Sequence, residues 1–392
     1  MMEESGFLSG TVVVLSISFL FIFMGAGALQ QFLIPQFSIM LGRSTLACSW
    51  ILASLYLSFL FWRVICSYTL KWLGEYWSMV LGSLTYTIFP LSALLSRNYY
   101  FLLVMAIVWG WGAASIWIGG SARILDTTSS RRYGISSGTF YTAAQAGQAL
   151  GVFLLGWVLA GNGIDHMLLW AFLITLAGNI IMLALPQIKI ARESPKISKV
   201  FGVLKTGRNR AIAFMQFSSS FGFGVIMSTF ADMVKSLYSI ELLGFAAFWF
   251  YLVRLCSSYF CGWLSDRWGR EVLLLFGFLF SALGFLFSIF NPALPVLYLA
   301  AGLLGFQFGT VPVVVMAILG DETKPEERHL VLSGLYLWRD LGVAVAILSG
   351  MYINAYAHNF TLSLAIFSIL FFICTFFSLQ MYLTKLTQKR RV

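Results

Sequence analysis

Four ionisable side chains stand inside long apolar runs: Arg63, Arg254, Arg339 and Asp340. A charge at the centre of a bilayer costs about 3 kcal/mol even on lenient scales, so each marks a place where charge is needed. Arg63 lies near the end of its run and could snorkel to the headgroups. Arg254 sits eight residues before Gly262, roughly 12 Å along a helix, and Arg339 and Asp340 lie about ten residues into theirs, roughly 15 Å deep. Neighbours at i and i+1 do not face each other on a helix, so Arg339 and Asp340 are each expected to need another partner. Three cations against one carboxylate leave the interior net positive, which points to an anionic or amphiphilic organic solute. Asp340 is the one carboxylate at depth that could carry a coupling proton.

Uncharged polar groups extend this set. Gln30 and Gln31, Gln145, Gln216 with Ser218, Ser219 and Ser220, and Gln307 with Thr310 all lie among apolar neighbours. Buried amides need partners, which a neighbouring helix or a bound solute could supply. Enzyme chemistry has no such footing. His166, His329 and His358 have no metal-ligand spacing, and no glycine loop with a lysine is present to cradle phosphate. The chain is read as a non-enzyme with no cofactor.

The elements that must position these groups are membrane helices. The 392 residues are 59% hydrophobic and only 10% charged, with a mean hydropathy of +0.86, far from soluble composition. Bilayer-length apolar runs without alternating strands leave helices as the spanning element. Twelve are predicted, near 11–34, 45–68, 77–96, 100–122, 138–160, 167–186, 211–233, 244–263, 272–290, 295–318, 331–353 and 361–384. With both termini cytoplasmic, 19 of the 25 Lys and Arg fall in inside segments, among them Lys189, Arg192, Arg390 and Arg391. Only Arg43, Arg97 and Lys235 fall outside. This bias accounts for the net charge of +10 without nucleic acid. Cys48, Cys66, Cys256, Cys261 and Cys374 all fall in spans and read as free, buried thiols. The N-terminus carries Glu3 and Glu4 but no base, and its first run is too long for a cleaved signal.

The one long hydrophilic connection divides the chain into an N-terminal bundle (1–186), a basic linker (187–210) and a C-terminal bundle (211–392). The two halves repeat at an offset near 195. Leu55-Tyr56-Leu57 pairs with Phe250-Tyr251-Leu252, Asp126 with Asp321, and Ser137-Gly138-x-x-Tyr141 with Ser333-Gly334-x-Tyr336.

Between two of the runs stands Gly262-Trp-Leu-Ser-Asp-Arg-Trp-Gly-Arg-Glu271. It resembles the signature loop of the major facilitator superfamily of secondary transporters at Gly262, Leu264, Ser265, Asp266, Arg267, Gly269 and Arg270, and departs from it at Glu271. The resemblance implies an all-α membrane protein of twelve transmembrane helices in two pseudo-symmetric six-helix bundles, with the site between them. It also implies that the loop latches one half to the other, its Asp at a helix N-terminus where the dipole favours an anion. Asp266 and Arg270 then form half of a latch, with Asp126 a candidate partner for Arg270. In the first-half copy Gly74 is kept, but Lys71 stands where Asp266 does and Glu75 where Arg270 does. A charge-swapped latch from Lys71 to Asp321, Glu322, Glu326 and Glu327 is one reading; solvated loop charges are the other.

In this family the eighth and eleventh helices flank the cavity, which makes Arg254–Asp340 the expected pair and leaves Arg339 to an anionic substrate. A structural clamp of all three stands as the alternative. Helices one, four, seven and ten line the cavity, which raises Gln30, Gln216 and Gln307. Gly147-Gln148-Ala149-Leu150-Gly151 resembles an antiporter motif without its proline, and is equally a small-residue packing face. Trp109 to Trp117 in the fourth span offer aromatic walls or lipid-facing anchors. The expectation is a monomeric multi-pass transporter in the plasma membrane, alternating access around a small-molecule substrate, with proton coupling through Asp340. A multidrug or lipid exporter is the nearest alternative. A non-transporting scaffold, of which the Gly- and Trp-rich fourth span is reminiscent, is the alternative of another class.

Overall fold

In a computed structural model, which describes residues 9–188, 196–227, 230, 237–238, 240–291, 293–356 and 360–389, the chain is helical almost throughout. Lys189, Arg192, Lys235, Arg390 and Arg391, counted above for topology, lie outside the described residues, as do Glu3, Glu4 and His358. Twelve long helical segments appear among them. The first six are α1 (Gly10–Leu41), α2 (Thr45–Leu73), α3 (Glu75–Leu95), α4 (Tyr99–Asp126), α5 (Tyr133–Asn162) and α6 (Ile164–Met182). The last six are α7 (Gly207–Met227), α8 (Ile240–Trp268), α9 (Arg270–Phe290), α10 (Leu294–Glu322), α11 (Arg328–Tyr356) and α12 (Phe360–Lys389). A short linker helix, Ile197–Gly202, lies between the halves. Nine of the long segments are apolar enough by length and composition to cross a membrane.

Local signals set the helix ends. Ser9, Ser44 and Asn98 accept the free N–H groups at the starts of α1, α2 and α4. The α2–α3 and α8–α9 connections each turn on one glycine with positive φ, Gly74 at 78° and Gly269 at 100°. These two glycines are 195 residues apart, so the repeat read in the sequence extends to the backbone. Inside α1 a π turn at Phe23–Gly27 frees the Ala26 N–H, which donates to Thr175 Oγ1 of α6 at 2.8 Å.

Each half has its own apolar core, and buried residues of each half enter the core of the other. Val313, Met316 and Ala317 of α10 pack into the first-half core, while Cys66, Leu70, Ile118 and Ala122 of α2 and α4 pack into the second. All seven lie toward the end that carries the signature loop, called the loop end below. Along the seam α5 packs on α8 and α10, and α2 packs on α11. The α5–α8 crossing is close because it is made of glycine: a Cβ on Gly262 would stand 2.6 Å from the Gly134 carbonyl oxygen, and one on Gly138 2.8 Å from that of Ser258.

One reading holds here and one expectation changes. Gly147 and Gly151 are a packing face, since a Cβ at either would overlap the carbonyls of Leu20 and Met24 on α1. Four of the cysteines are buried, but Cys256 is exposed on the outer side of α8.

Candidate functional site

The loop-end seam holds the latch. Asp266, at the end of α8, accepts the Gly134 N–H at 3.0 Å and the Ile135 N–H at 2.9 Å with its two carboxylate oxygens. These belong to the first turn of α5, where helical N–H groups have no internal partner and the dipole is positive. Arg270 braces the carboxylate, and its Nε reaches Asp321 at 3.1 Å. Arg267 is exposed and stacks 4.0 Å from the Trp263 ring.

Asp126 is therefore not the partner of Arg270. It pairs at 2.8 Å with Arg328 at the start of α11, whose other terminal nitrogen donates to Tyr133 Oη at 2.6 Å. The reason is reach: Asp321 lies in the last turn of α10 in the same half as Arg270, whereas Asp126 faces the buried start of α11. Sequence reasoning counted Arg328 only as a loop charge, although it stands 195 residues after Tyr133.

Two of the acids named for the charge-swapped latch have partners within the second half. Asp321 is engaged by Arg270, and Glu322 by Arg208 at 2.5 Å. Lys71 is exposed beside Gly74. Glu271, the departure from the signature, is buried at the start of α9 and is held by Lys385 at 2.8 Å and Arg208 at 3.2 Å. An acid suits that position because the first turn of a helix favours negative charge.

Midway along the seam lies a cavity of about 90 Å³. Its walls come from both halves: Gln30, Gln145 and Gln148 with Phe23, Tyr56, Phe59, Tyr86, Trp117 and Tyr141 from the first, and Arg254, Arg339 and Asp340 with Phe223 and Phe308 from the second. Gln30 is reached as expected, its Oε1 accepting from Tyr56 Oη at 2.8 Å. Gln216 and Gln307 are not among the lining residues. Both are wholly buried in the second half, and Gln307 lies against Gly222. The aromatic alternative in the fourth span resolves toward walls: Trp109 is fully buried and Trp117 lines the cavity.

The charges pair in a pattern the sequence did not foretell. Arg63 does not snorkel. It is fully buried and its Nε contacts Asp340 Oδ2 across the α2–α11 seam. Arg339 bends back to Asp340 Oδ1 at 3.3 Å, its guanidinium over the Trp117 and Tyr336 rings. The expected Arg254–Asp340 pair is absent from this arrangement, because one carboxylate already serves two guanidiniums and α2 brings Arg63 close where α8 does not bring Arg254. A long side chain can also curl onto its neighbour, which the i, i+1 rule for short contacts understates.

Arg254 is then the unmatched cation. Among the described residues it meets no carboxylate. Its Nη1 is 3.4 Å from Gln148 Oε1, and its guanidinium lies 4.6 Å from the Phe308 ring centre, with Phe223 and Tyr251 just under 6 Å away. Its Nε is buried without a hydrogen-bond partner. The second half builds this position by close packing: α10 meets the Arg254 turn through Gly305 and Gly309, and the Ser257 hydroxyl donates to the Arg254 carbonyl at 3.0 Å. A guanidinium so desolvated and set over aromatic faces has the chemistry to receive an anion.

The latch and the Arg328 cluster close the loop end. On that same side of the cavity Tyr141 Oη and Tyr336 Oη meet at 3.1 Å, and on the far side Gln31 donates to Tyr251 Oη across the halves.

The family model described as Ion channel regulatory protein UNC-93 matches residues 44–287, and that of the Major Facilitator Superfamily matches residues 212–391. In structure the chain is similar to the human organic anion transporter MFSD10 (TETRAN), with 16% identity, a TM-score of 0.77, and 94% of this chain and 98% of that chain covered. It is also similar to the proton:xylose symporter XylE, at 14% identity and a TM-score of 0.75 over 94% of each chain. For the fucose:proton symporter FucP of E. coli the identity is 14% and the TM-score 0.73, over 94% of this chain and 97% of that one. In sequence, H(+)/hexose cotransporter 1 of Parachlorella kessleri is 28% identical over 114 residues, which are 29% of this chain and 21% of that protein. The aligned stretch thus spans about a fifth of that relative's length.

Proposed function

Since the chain belongs to the major facilitator superfamily and to the family described as Ion channel regulatory protein UNC-93, we propose that it is a secondary transporter of a small anionic or amphiphilic organic solute. One observation carries this reading: the guanidinium of Arg254, unmatched by any described carboxylate, faces a cavity between two halves. A charge held so at membrane depth is costly unless something it binds repays the cost. Gln148, Gln145 and Gln30 would orient the polar end of the solute, and the aromatic walls would cover the rest. The bundles 1–186 and 211–392 rock about the seam, with the linker 187–210 joining them, and both termini face the cytoplasm at the basic loop end. A monomer in the plasma membrane suffices for this cycle.

Proton coupling would run through Asp340. Ionised, it neutralises Arg63 and Arg339 and holds α2 to α11. Protonated, it leaves Arg63 as a buried, uncompensated cation, which favours parting of the halves. A multidrug or lipid exporter would use the same cavity with its aromatic walls and without need of Arg254.

A second reading, a membrane scaffold that regulates an ion channel and transports nothing, is favoured by the UNC-93 match over residues 44–287. One experiment separates these readings. Thermal unfolding of the detergent-purified protein is followed with a panel of organic anions, cations and neutral amphiphiles, since a bound ligand raises the melting temperature by mass action. Carriage of anions predicts stabilisation by anions, lost in Arg254→Ala and kept in Gln216→Ala. Equal stabilisation of both variants by lipophilic cations would turn the reading to export. No stabilisation by any class, with Arg254→Ala as functional in the cell as wild type, would leave the scaffold.

A further inference from the structure

The linker between the halves presents an amphipathic surface that the transport cycle does not use. In the helix Ile197–Gly202, Val200 is buried and packs its carbonyl against α11, 2.5 Å from where a Cβ on Gly334 would stand. Residues of the same helix also approach α2, so it straddles the α2–α11 seam. Its other side is different in kind. Ile197 and Phe201, four residues apart and hence on one face, are 47% and 48% exposed, an unusual position for large apolar groups outside a bilayer. Lys196, Lys199 and Lys205 are exposed around them. Across 187–210 the sequence holds seven Lys and Arg against the single acid Glu193.

The level of this helix is set by its neighbours. The linker joins α6 to α7 at the loop end, where Trp72 of α2 and Trp268 of α8 are 84% and 65% exposed, each beside a base, Lys71 and Arg267. Exposed tryptophan beside lysine or arginine is the composition of the boundary between lipid tails and headgroups. An apolar pair ringed by lysines at that boundary matches a leaflet in both respects: acyl chains for Ile197 and Phe201, phosphate for the three ammonium groups.

We propose that the linker helix and its flanking lysines are a docking surface for anionic phospholipid of the loop-end leaflet. Seated there, the helix ties the α2–α11 seam to the headgroup layer, and the lipid composition of that leaflet bears on the parting of the halves. The proposal holds for a carrier and for a scaffold alike.

The test is hydrogen–deuterium exchange of the full chain in nanodiscs of phosphatidylcholine alone and of phosphatidylcholine with one third phosphatidylglycerol. Amides of residues 196–205 exchange more slowly in the anionic discs, and 0.5 M NaCl removes the difference. A Lys196→Gln, Lys199→Gln, Lys205→Gln variant loses it, with phosphatidylglycerol retained in native mass spectra weakened about fivefold per lysine. Exchange across α5 stays as in wild type, which shows that the variant is folded. Equal exchange of wild type in the two discs would overturn the proposal. So would the same protection by inorganic phosphate in phosphatidylcholine discs, which would make the surface a site for a soluble anion, or protection undiminished in an Ile197→Ser, Phe201→Ser variant, which would deny the seated helix.

Discussion

The two copies of the signature loop occupy equivalent places and do different work. In the second half Asp266 spans the seam to the N-terminus of α5, two N–H groups on two oxygens, with Arg270 and Asp321 behind it. In the first half Lys71 faces the equivalent place, and a lysine cannot accept from N–H groups or sit well on a positive helix terminus. There the tie across the seam comes instead from the helix start itself, as Arg328 reaches out to Asp126 and Tyr133. The repeat preserved the need for a link at both crossings but not its chemistry. The cavity shows the same division. By the offset of 195, Arg254, Arg339 and Asp340 correspond to Phe59, Ala144 and Gln145. One half supplies charge and the other chiefly walls, with Arg63 as the exception that crosses to join the charged side.

That division can be broken most severely at Asp340. Asp340→Ala leaves Arg63 buried without a counter-ion, for an expected loss of about 3–5 kcal/mol. Thermal unfolding in detergent should fall accordingly, and removing Arg63 as well should recover part of the loss, which a double-mutant cycle reads directly. Purely additive losses would mean that the two charges do not sense each other across the seam.

Asp266→Ala comes next, at about 2 kcal/mol, because it strands two N–H groups and leaves Arg270 with Asp321 alone. Its distinctive readout is access: a thiol reagent should reach a cysteine placed at Ile135 in the variant and not in the parent. Gly134→Ala attacks the same crossing by bulk, with an expected cost of about 1–3 kcal/mol, since its Cβ would overlap the Gly262 carbonyl. If the alanine variant unfolds at the temperature of wild type, the halves do not meet as closely as described.

The smallest effect sharpens the comparison. Lys71→Glu should change stability by less than about 0.5 kcal/mol, as exposed charges usually do. Arg328→Gln should cost several times more. Were Lys71→Glu as damaging as Asp266→Ala, the two copies would be working alike and the asymmetry drawn above would fail.

How far the sequence could have led is clear at particular residues. The helices and the repeat were legible because they rest on local pattern, apolar length and a common offset, whereas the ends of α2 and α8 were set near 68 and 263 and run on to Leu73 and Trp268. Gln30 lines the cavity on a helix that the family resemblance pointed to, and Trp117, left open between wall and lipid anchor, lines it too. The partners of Arg63, Arg254 and Asp126 were not legible, because a helix reading assigns depth but not azimuth, and which side chain faces which across a seam depends on how two bundles are rotated against each other. Gln216 and Gln307 failed for this reason too. They lie on cavity-forming helices but turn into the second half. Arg254 emerged as the unmatched cation only after Asp340 was seen to be spoken for twice.

Tyr141 and Tyr336 meet at 3.1 Å, and so do Tyr133 and Arg328 at 2.6 Å, each pair separated by 195 residues. Positions that face their own counterparts lie on the axis relating the halves, as residues on the dyad of a homodimer do. Two identical subunits would be obliged to set tyrosine against tyrosine, or arginine against arginine, at every such place. A single chain carrying both halves is released from that obligation. The first pair still obeys the rule of the homodimer; the second, a cation laid 5.3 Å from the tyrosine ring, is a contact that two identical subunits could not make on their axis.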